Sequence, residues 1–205
     1  MQDQNNIKSY LRSALVLQFV LGLMLVSPVW AGWNEGFAAS KAGNHEKAFK
    51  ELLPLAEEGH GSAQSLIGVM YYNGEGVEQD FNAAMVWLTL AANQGYSLAQ
   101  YNLGVMYDNG QGADQDFNLA FKWYGHAAEQ GHAVAQFNLG SMYGNGDGVE
   151  QDLSRAYMWL HISGMHGNRQ AVEQRRELEK SMTPEQIANA RKMTGACMGS
   201  KYQDC

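Results

Sequence analysis

The sequence predicts an all-α protein in which helix-turn-helix units with a 36-residue period stack into a solenoid. Residues 81–116 and 117–152 align without a gap and are identical at 20 of 36 positions. Apolar residues within each unit recur at the spacing of one helix face, as Ala99, Leu103 and Tyr107 do. Glycine is enriched, with 23 in 205 residues, and 13 of them fall at four positions of the repeat.

Each unit is predicted to hold two helices separated by a glycine-rich turn. Asp116 follows that turn and is expected to cap the second helix. Gly95 ends a second helix, where the left-handed conformation suits glycine. Gly104 lies inside a first helix, which indicates a neighbouring helix too close for a Cβ. Recurring aromatic residues are expected to pack between the layers of helices: Trp87, Trp123 and Trp159, with Tyr71, Tyr107 and Tyr143.

About ten helices are predicted after removal of an N-terminal leader. The order is an N-terminal capping pair in 32–59 (helices near 33–43 and 45–58), three full repeats in 60–167, a C-terminal capping pair in 168–195 (helices near 168–180 and 184–194) and a tail in 196–205. The last helix is predicted to begin after Thr183. Thr183 and Gln186 have the spacing of a capping box, and Pro184 stands at the first helical position.

Residues 1–31 have the pattern of a secretory signal peptide, with cleavage expected after Ala31. Lys8 and Arg12 precede an apolar run over residues 14–26. The alternative is an uncleaved anchor, but a helix of that run would span about 20 Å, short of the ~30 Å hydrocarbon core. The mature chain is therefore expected in the periplasm, without stable membrane insertion.

Cys197 and Cys205 are the two cysteines of the chain. Because exported compartments oxidise thiols, a disulfide that closes the tail is favoured. The alternatives are a redox pair or an intermolecular bridge.

The composition and the motifs exclude several functional classes. A net charge of -7 argues against nucleic acid or an anionic membrane surface as the partner. Glycine loops such as 110–112 follow predicted helices rather than strands, so they do not predict a phosphate site. No histidine pair has the i, i+4 spacing of a helical zinc site, and His60 and His132 are expected in solvent-facing loops. Without a nucleophile motif either, the sequence predicts no catalytic residue, metal or cofactor.

The recurring string A-x-A-Q-[YF]-N-L-G-x-M-Y-x-N-G-x-G-V-x-Q-D, followed by A-x-x-W and A-A-x-Q-G, resembles the Sel-one-like repeat family, a relative of the tetratricopeptide repeats. The resemblance covers about residues 45–167. Residues 183–187 and the two cysteines also resemble the end of exported bacterial members. This resemblance implies a right-handed α-solenoid that serves as a protein-interaction scaffold or adaptor in the bacterial envelope.

Two alternative functions stay open at this point. Cysteine-rich members of the family have been linked to β-lactams, which raises an envelope hydrolase acting on β-lactam or peptidoglycan-like substrates. Those members carry a cysteine pair in nearly every repeat, and this chain does not. The second alternative is a metal or redox module built on the histidines or the two cysteines.

The first helix of each pair is expected to line the concave face, where positions that differ between repeats would contact a partner. These positions include no Lys or Arg. The predicted partner is therefore an apolar or weakly basic peptide, held mainly by Tyr101 and Phe137. The alternative is that they fill the curvature of the array itself. The candidate residues are Ser65, Val69 and Tyr72 in the first repeat, Tyr101, Val105 and Asp108 in the second, and Phe137 and Ser141 in the third.

Overall fold

Pairs of antiparallel helices follow one another along the chain in a computed structural model that describes residues 28–203 and residue 205. The described residues form ten α-helices and no strand, which confirms the predicted α-solenoid. The helices are α1 (Pro28–Lys41), α2 (His45–Glu57), α3 (Gly61–Asn73), α4 (Phe81–Asn93), α5 (Ser97–Asn109), α6 (Phe117–Glu129), α7 (Ala133–Asn145), α8 (Leu153–Met165), α9 (Arg169–Glu179) and α10 (Pro184–Gly199).

The predicted caps define where the helices begin. Asp116 accepts a hydrogen bond from the backbone N–H of Leu119 and starts α6, and Asp80 and Asp152 start α4 and α8 in the same way. Thr183 and Gln186 form the predicted capping box of α10. These side chains satisfy N–H groups that have no partner within the helix, so the repeated aspartate fixes the repeated boundary.

Glycine allows the two helices of a pair to cross closely. A Cβ on Gly104 would lie 2.5 Å from the Cδ1 atom of Tyr124 on α6. Gly68 and Gly140 meet Leu88 and Leu160 in the same way, at 2.7 and 2.9 Å. The expectation of a crossing too tight for a side chain is therefore confirmed in all three repeats.

A ladder of buried amides joins each pair to the preceding one. Gln100 donates through Nε2 to the carbonyl of Ala92 on the preceding helix and accepts at Oε1 from Gln130 of its own pair. Gln64 and Gln136 hold the equivalent places, and His166 replaces the glutamine partner of Gln136 with a 2.8 Å contact. The ladder repeats at the same register in all three units, so it sets the offset between neighbouring pairs.

The core lies between the two layers of helices. Trp159 is buried, and Trp87 and Trp123 pack half-buried against neighbouring clusters, as the repeat predicted. Successive first helices also contact each other, α3 with α5 and α7 with α9. Because the inner layer of a curved stack is the more crowded one, these contacts place the first helices on the inner side.

The two ends of the array depart from the prediction. Helix α1 begins at Pro28 rather than near 33, and only three residues connect it to α2, against seven between α3 and α4. Helix α10 extends to Gly199 rather than 194 and packs on α8 instead of pairing with α9. Helix α10 buries Met158 and Ile162 of α8. At the same repeat positions, α6 carries Lys122 and His126, which are exposed.

The leader predicted over 1–31 lies mostly outside the described residues. None of the helices in the described part of the chain is both long enough and apolar enough to cross a membrane.

Candidate partner-binding groove

The eight predicted groove residues lie on α3, α5 and α7, the inner helices of the three repeats. Several of them contact the next repeat rather than solvent alone. These side chains pack between successive repeats, and their role in binding a partner stays a prediction.

In the first repeat, Ser65 is only 3% exposed, so its side chain is not available to a partner. The hydroxyl of Tyr72 donates to Oε1 of Gln111 in the next turn at 2.8 Å, and its ring meets Phe81 edge-on. Val69 is half-buried. The surface on α3 is thus formed by Tyr72 and Val69, without Ser65.

In the second repeat, the ring of Tyr101 stacks on His132 with centroids 4.6 Å apart. Burial raises the pKa of Tyr101, with a smaller contribution from Tyr72. Asp108 accepts a hydrogen bond from the buried hydroxyl of Tyr124 at 3.2 Å. Burial, and then the charge of Asp108, raises the pKa of Tyr124, so this phenol stays a donor at any physiological pH.

His132 is not the solvent-facing loop residue that the repeat register predicts. It is half-buried, caps α7 by accepting from the N–H of Ala135, and presents its ring to Tyr101. Burial lowers its pKa, so the ring is neutral at pH 7. His60, at the same register, is exposed as expected.

In the third repeat, Phe137 is half-buried and Ser141 links the groove to α9. The hydroxyl of Ser141 lies 2.9 Å from Oε1 of Gln174 and 3.1 Å from the carbonyl oxygen of Phe137. The inner surface therefore continues from α7 onto α9.

Two exposed apolar residues of this surface were missed by the sequence analysis. Leu98 is 39% exposed and Val134 is 42% exposed, each three residues before Tyr101 or Phe137. The signal was present, because a helix places residues i and i+3 on the same face. We call Val69, Leu98, Tyr101, Val105, Val134 and Phe137 the inner stripe.

Helix α1 extends the inner stripe with aromatic rings. Gly36 meets Leu52 as Gly68 meets Leu88, which puts Trp33 and Phe37 at the register of Ser65 and Val69. The two rings stack with centroids 5.5 Å apart, and the ammonium of Lys41 lies 4.7 Å from the ring centre of Phe37. The repeat period did not find these residues because the shorter connection changes the spacing.

Charge along the inner helices is sparse and changes towards the C-terminal end. Helices α3, α5 and α7 carry no Lys or Arg, and Asp108 is their one charged residue. On α9, the positions equivalent to Phe137 and Ser141 hold Glu173 and Glu177, both exposed. The apolar stripe therefore ends beside carboxylates.

The alternative functions would need a cluster of metal ligands or a reactive cysteine pair. The described residues contain no group of three His, Cys, Asp or Glu side chains placed to hold a metal ion. Cys197 and Cys205 are bonded to each other, with Cα atoms 4.9 Å apart, and Cys197 is fully buried against the core. This pair closes the tail against the end of α10.

Comparison with known proteins identifies the repeated unit. The family model of the Sel1 repeat matches residues 61–96, 97–132 and 133–168, which are the units of the array from one first helix to the next. These 108 residues are just over half of the chain. No curated protein gives a significant match to the sequence.

Two solved structures resemble this chain both in fold and in about a third of the aligned residues. A Sel1 repeat protein from Oxalobacter formigenes is 36% identical, with a TM-score of 0.63, over 66% of this chain and 56% of the other. A protective antigen of uropathogenic Escherichia coli strains that displays an SLR fold is 34% identical, with a TM-score of 0.72, over 77% of this chain. The chain spans about half the length of the first and 33% of the second.

Proposed function

The chain belongs to the Sel1 repeat family, and from that premise we propose that it is an exported scaffold that binds an apolar, weakly basic peptide segment of another protein along its inner stripe. Proteins built from Sel1 repeats are generally protein-interaction scaffolds and typically have no enzymatic activity. We propose the peptide partner, the inner stripe as its binding site and an exported location.

The inner stripe is the observation that carries the proposal. Leu98 and Val134 expose apolar side chains to solvent on the inner face, where the residue types vary from repeat to repeat. Tyr101 and Phe137 stand beside them, both half-buried, and Tyr101 is held by stacking on His132 at the start of the next first helix. An aromatic anchor such as Tyr101 is typical of a binding hot spot, and neighbouring side chains that exclude water from it support its contact with a partner.

The charges around the stripe indicate the polarity of the partner. Since α3, α5 and α7 carry no basic residue, an acidic peptide would meet only Asp108 there. Glu173 and Glu177 continue the same register on α9, and Glu177 is already paired with Lys180 at 2.6 Å, so Glu173 is the carboxylate left for a partner. A peptide with apolar side chains over α5 and α7 and a Lys or Arg towards α9 would match this surface in both shape and charge.

We expect peptides selected on the immobilised protein from a random phage-displayed library to be rich in apolar and aromatic residues, with a basic residue on one side. Replacing Leu98 and Val134 together by Glu should weaken binding of a selected synthetic peptide by about tenfold or more, because charge and water enter the stripe. Fluorescence anisotropy measures the change in Kd.

The outer face offers a matched control. Val86 and Leu90 on α4 are 60% and 44% exposed, so their replacement by Glu makes the same chemical change away from the groove. This control should bind the peptide within about twofold of the unaltered protein. Equal losses in both double variants, or selection of predominantly acidic peptides, would contradict the groove assignment.

Export is supported by the leader pattern and by the cysteine pair. Cleavage after Ala31 would remove the first turn of α1, since that helix begins at Pro28, and would leave Trp33 and Phe37, which extend the inner stripe, in the mature chain. The bond between Cys197 and Cys205 fits an oxidising compartment.

Intact-mass analysis of the protein expressed with its own leader tests the export proposal. We expect a chain that begins at Gly32 and weighs two hydrogen atoms less than the reduced form, because the bridge forms after export. A chain that retains Met1 would contradict cleavage, and two free thiols in freshly isolated material would contradict the bridge.

A further inference from the structure

A small cleft lies at the C-terminal end of the array, between α8 and α9. Its volume is about 190 Å³, and Leu160, His161, Gly164, Met165, Val172 and Arg175 line it. In the three repeats, a second helix follows and packs on each first helix. The helix that follows α9 is α10. It packs on α8 instead of on α9, so this side of α9 stays open.

The walls of the cleft depart from the repeat at three core positions. Arg175 occupies the position that holds a buried aliphatic residue in each preceding first helix. Val172 occupies the position of the ladder glutamine. Gly164 replaces an alanine, and a Cβ there would lie 2.8 Å from Cγ2 of Val172, so the glycine allows Val172 to pack directly on α8. The replaced residues are Ile67, Leu103 and Leu139, then Gln64, Gln100 and Gln136, then Ala56, Ala92 and Ala128.

Arg175 is held in a fixed orientation at the polar end of the cleft. Its guanidinium carbon lies 5.3 Å from the ring centre of Tyr157, and Nη1 lies 3.1 Å from Nδ1 of His161. Its Nε–H is buried without a hydrogen bond, since the carboxylate of Glu179 is 3.8 Å away. Buried donors are normally paired, so this N–H has a hydrogen bond left to give to an acceptor that enters the cleft.

The charges near the cleft favour an anion. Arg191 donates through Nε to the hydroxyl of Tyr157 at 3.3 Å, so a second guanidinium group lies against the tyrosine that holds Arg175, and Glu179 is the carboxylate nearest Arg175 Nε. Burial, then Arg175 and Arg191, lowers the pKa of His161. A neutral His161 accepts a hydrogen bond from Arg175 and carries no charge itself, so the positive charge at the cleft is that of the arginine.

We propose that this cleft binds a carboxylate that carries a small apolar group, as at the C-terminus of a peptide ending in leucine. Arg175 would pair with the carboxylate, and the apolar group would enter between Gly164, Val172 and Leu160. The volume suffices for such a group, since an apolar cavity of about 150 Å³ holds benzene. The site is independent of the inner stripe, because it lies on the face of α9 that carries Arg175 rather than Glu173 and Glu177.

Nuclear magnetic resonance titration of the whole mature protein tests the proposal with defined probes. The probes are acetyl-Gly-Ser-Ala-Leu as free acid, the same peptide as C-terminal amide, and N-acetyl-leucine. We expect the free acid to shift the Arg175 side-chain Nε–H and the His161 ring signals, and the amide to bind about tenfold more weakly or worse. A peptide that binds more tightly than N-acetyl-leucine identifies a chain terminus as the ligand, and equal affinities identify a small free acid.

Two variants and one control separate the site from a general effect. Arg175→Gln should weaken binding of the free acid by about tenfold or more, whereas Arg176→Gln on the exposed side of α9 should change it by less than about twofold. Gly164→Ala restores the residue of the repeat, keeps Arg175 and should also weaken binding, because its methyl group would displace Val172, which lines the apolar end of the cleft. The proposal is overturned if acid and amide bind equally, if both arginine variants behave alike, or if neither acid binds at about 10 mM.

Discussion

Replacing Gly112 by alanine is expected to destabilise the protein by about 3 kcal/mol, because it adds a methyl group against fixed backbone in a turn that needs a positive φ. Gly112 has a φ of +75°, and a Cβ there would lie 2.6 Å from the carbonyl oxygen of Phe81. Phe81 opens α4 of the preceding pair, so the obstacle is backbone that cannot rotate away. The turn of one repeat would have to separate from the helix start of another.

Gly95→Ala is the matched control for this prediction. Gly95 has a φ of +90°, yet a Cβ would have nothing within 4 Å, so this change adds backbone strain without a clash. It should cost about 1 kcal/mol. Urea unfolding followed by circular dichroism measures both changes, and equal losses would show that the contact between Gly112 and Phe81 is not tight.

Replacing Gln136 by alanine is expected to cost about 2 kcal/mol of unfolding free energy, because it removes a fully buried member of the amide ladder. Gln136 donates to the carbonyl of Ala128 at 3.1 Å and lies 2.8 Å from Nδ1 of His166. The other ring nitrogen of His166 lies 3.0 Å from the hydroxyl of Tyr202, so the loss should also loosen the tail.

The control for the ladder is Gln115→Ala. Gln115 donates to the carbonyl of Asp108 at 2.6 Å but is exposed, so water replaces the lost bond and the cost should be about 0.5 kcal/mol or less. Denaturant unfolding compares the two variants. If Gln136→Ala costs no more than Gln115→Ala, the ladder does not hold the repeats together.

The repeat period predicted the interior of the fold and failed at its ends for a physical reason. Periodicity reports only what recurs, and the caps, crossings and turns of the three repeats recur in register. The short connection after α1 shifts its register, so the position of Phe37 was not found. The placement of α10 depended on Met158 and Ile162, two apolar residues at a register that is otherwise polar or exposed.

The candidate groove was predicted in outline from the positions that vary between repeats. Those positions identified Tyr101 and Phe137, but variation alone does not report burial, and Ser65 is buried. Nor does it report contacts between repeats, which is why His132 was expected in solvent although it stacks on Tyr101. Leu98 and Val134 required the helix spacing to be applied to the groove face as well as to the core.

The fold-back of α10 onto α8 constrains how such a chain lengthens over evolution. A unit appended after α10 would find its docking surface already occupied, whereas a unit duplicated between α4 and α8 meets the same neighbours on both sides. The 20 identities among 36 positions of adjacent units fit an origin by internal duplication. An engineer who wants a longer receptor from this chain should copy residues 97–132 in place and leave both termini unchanged.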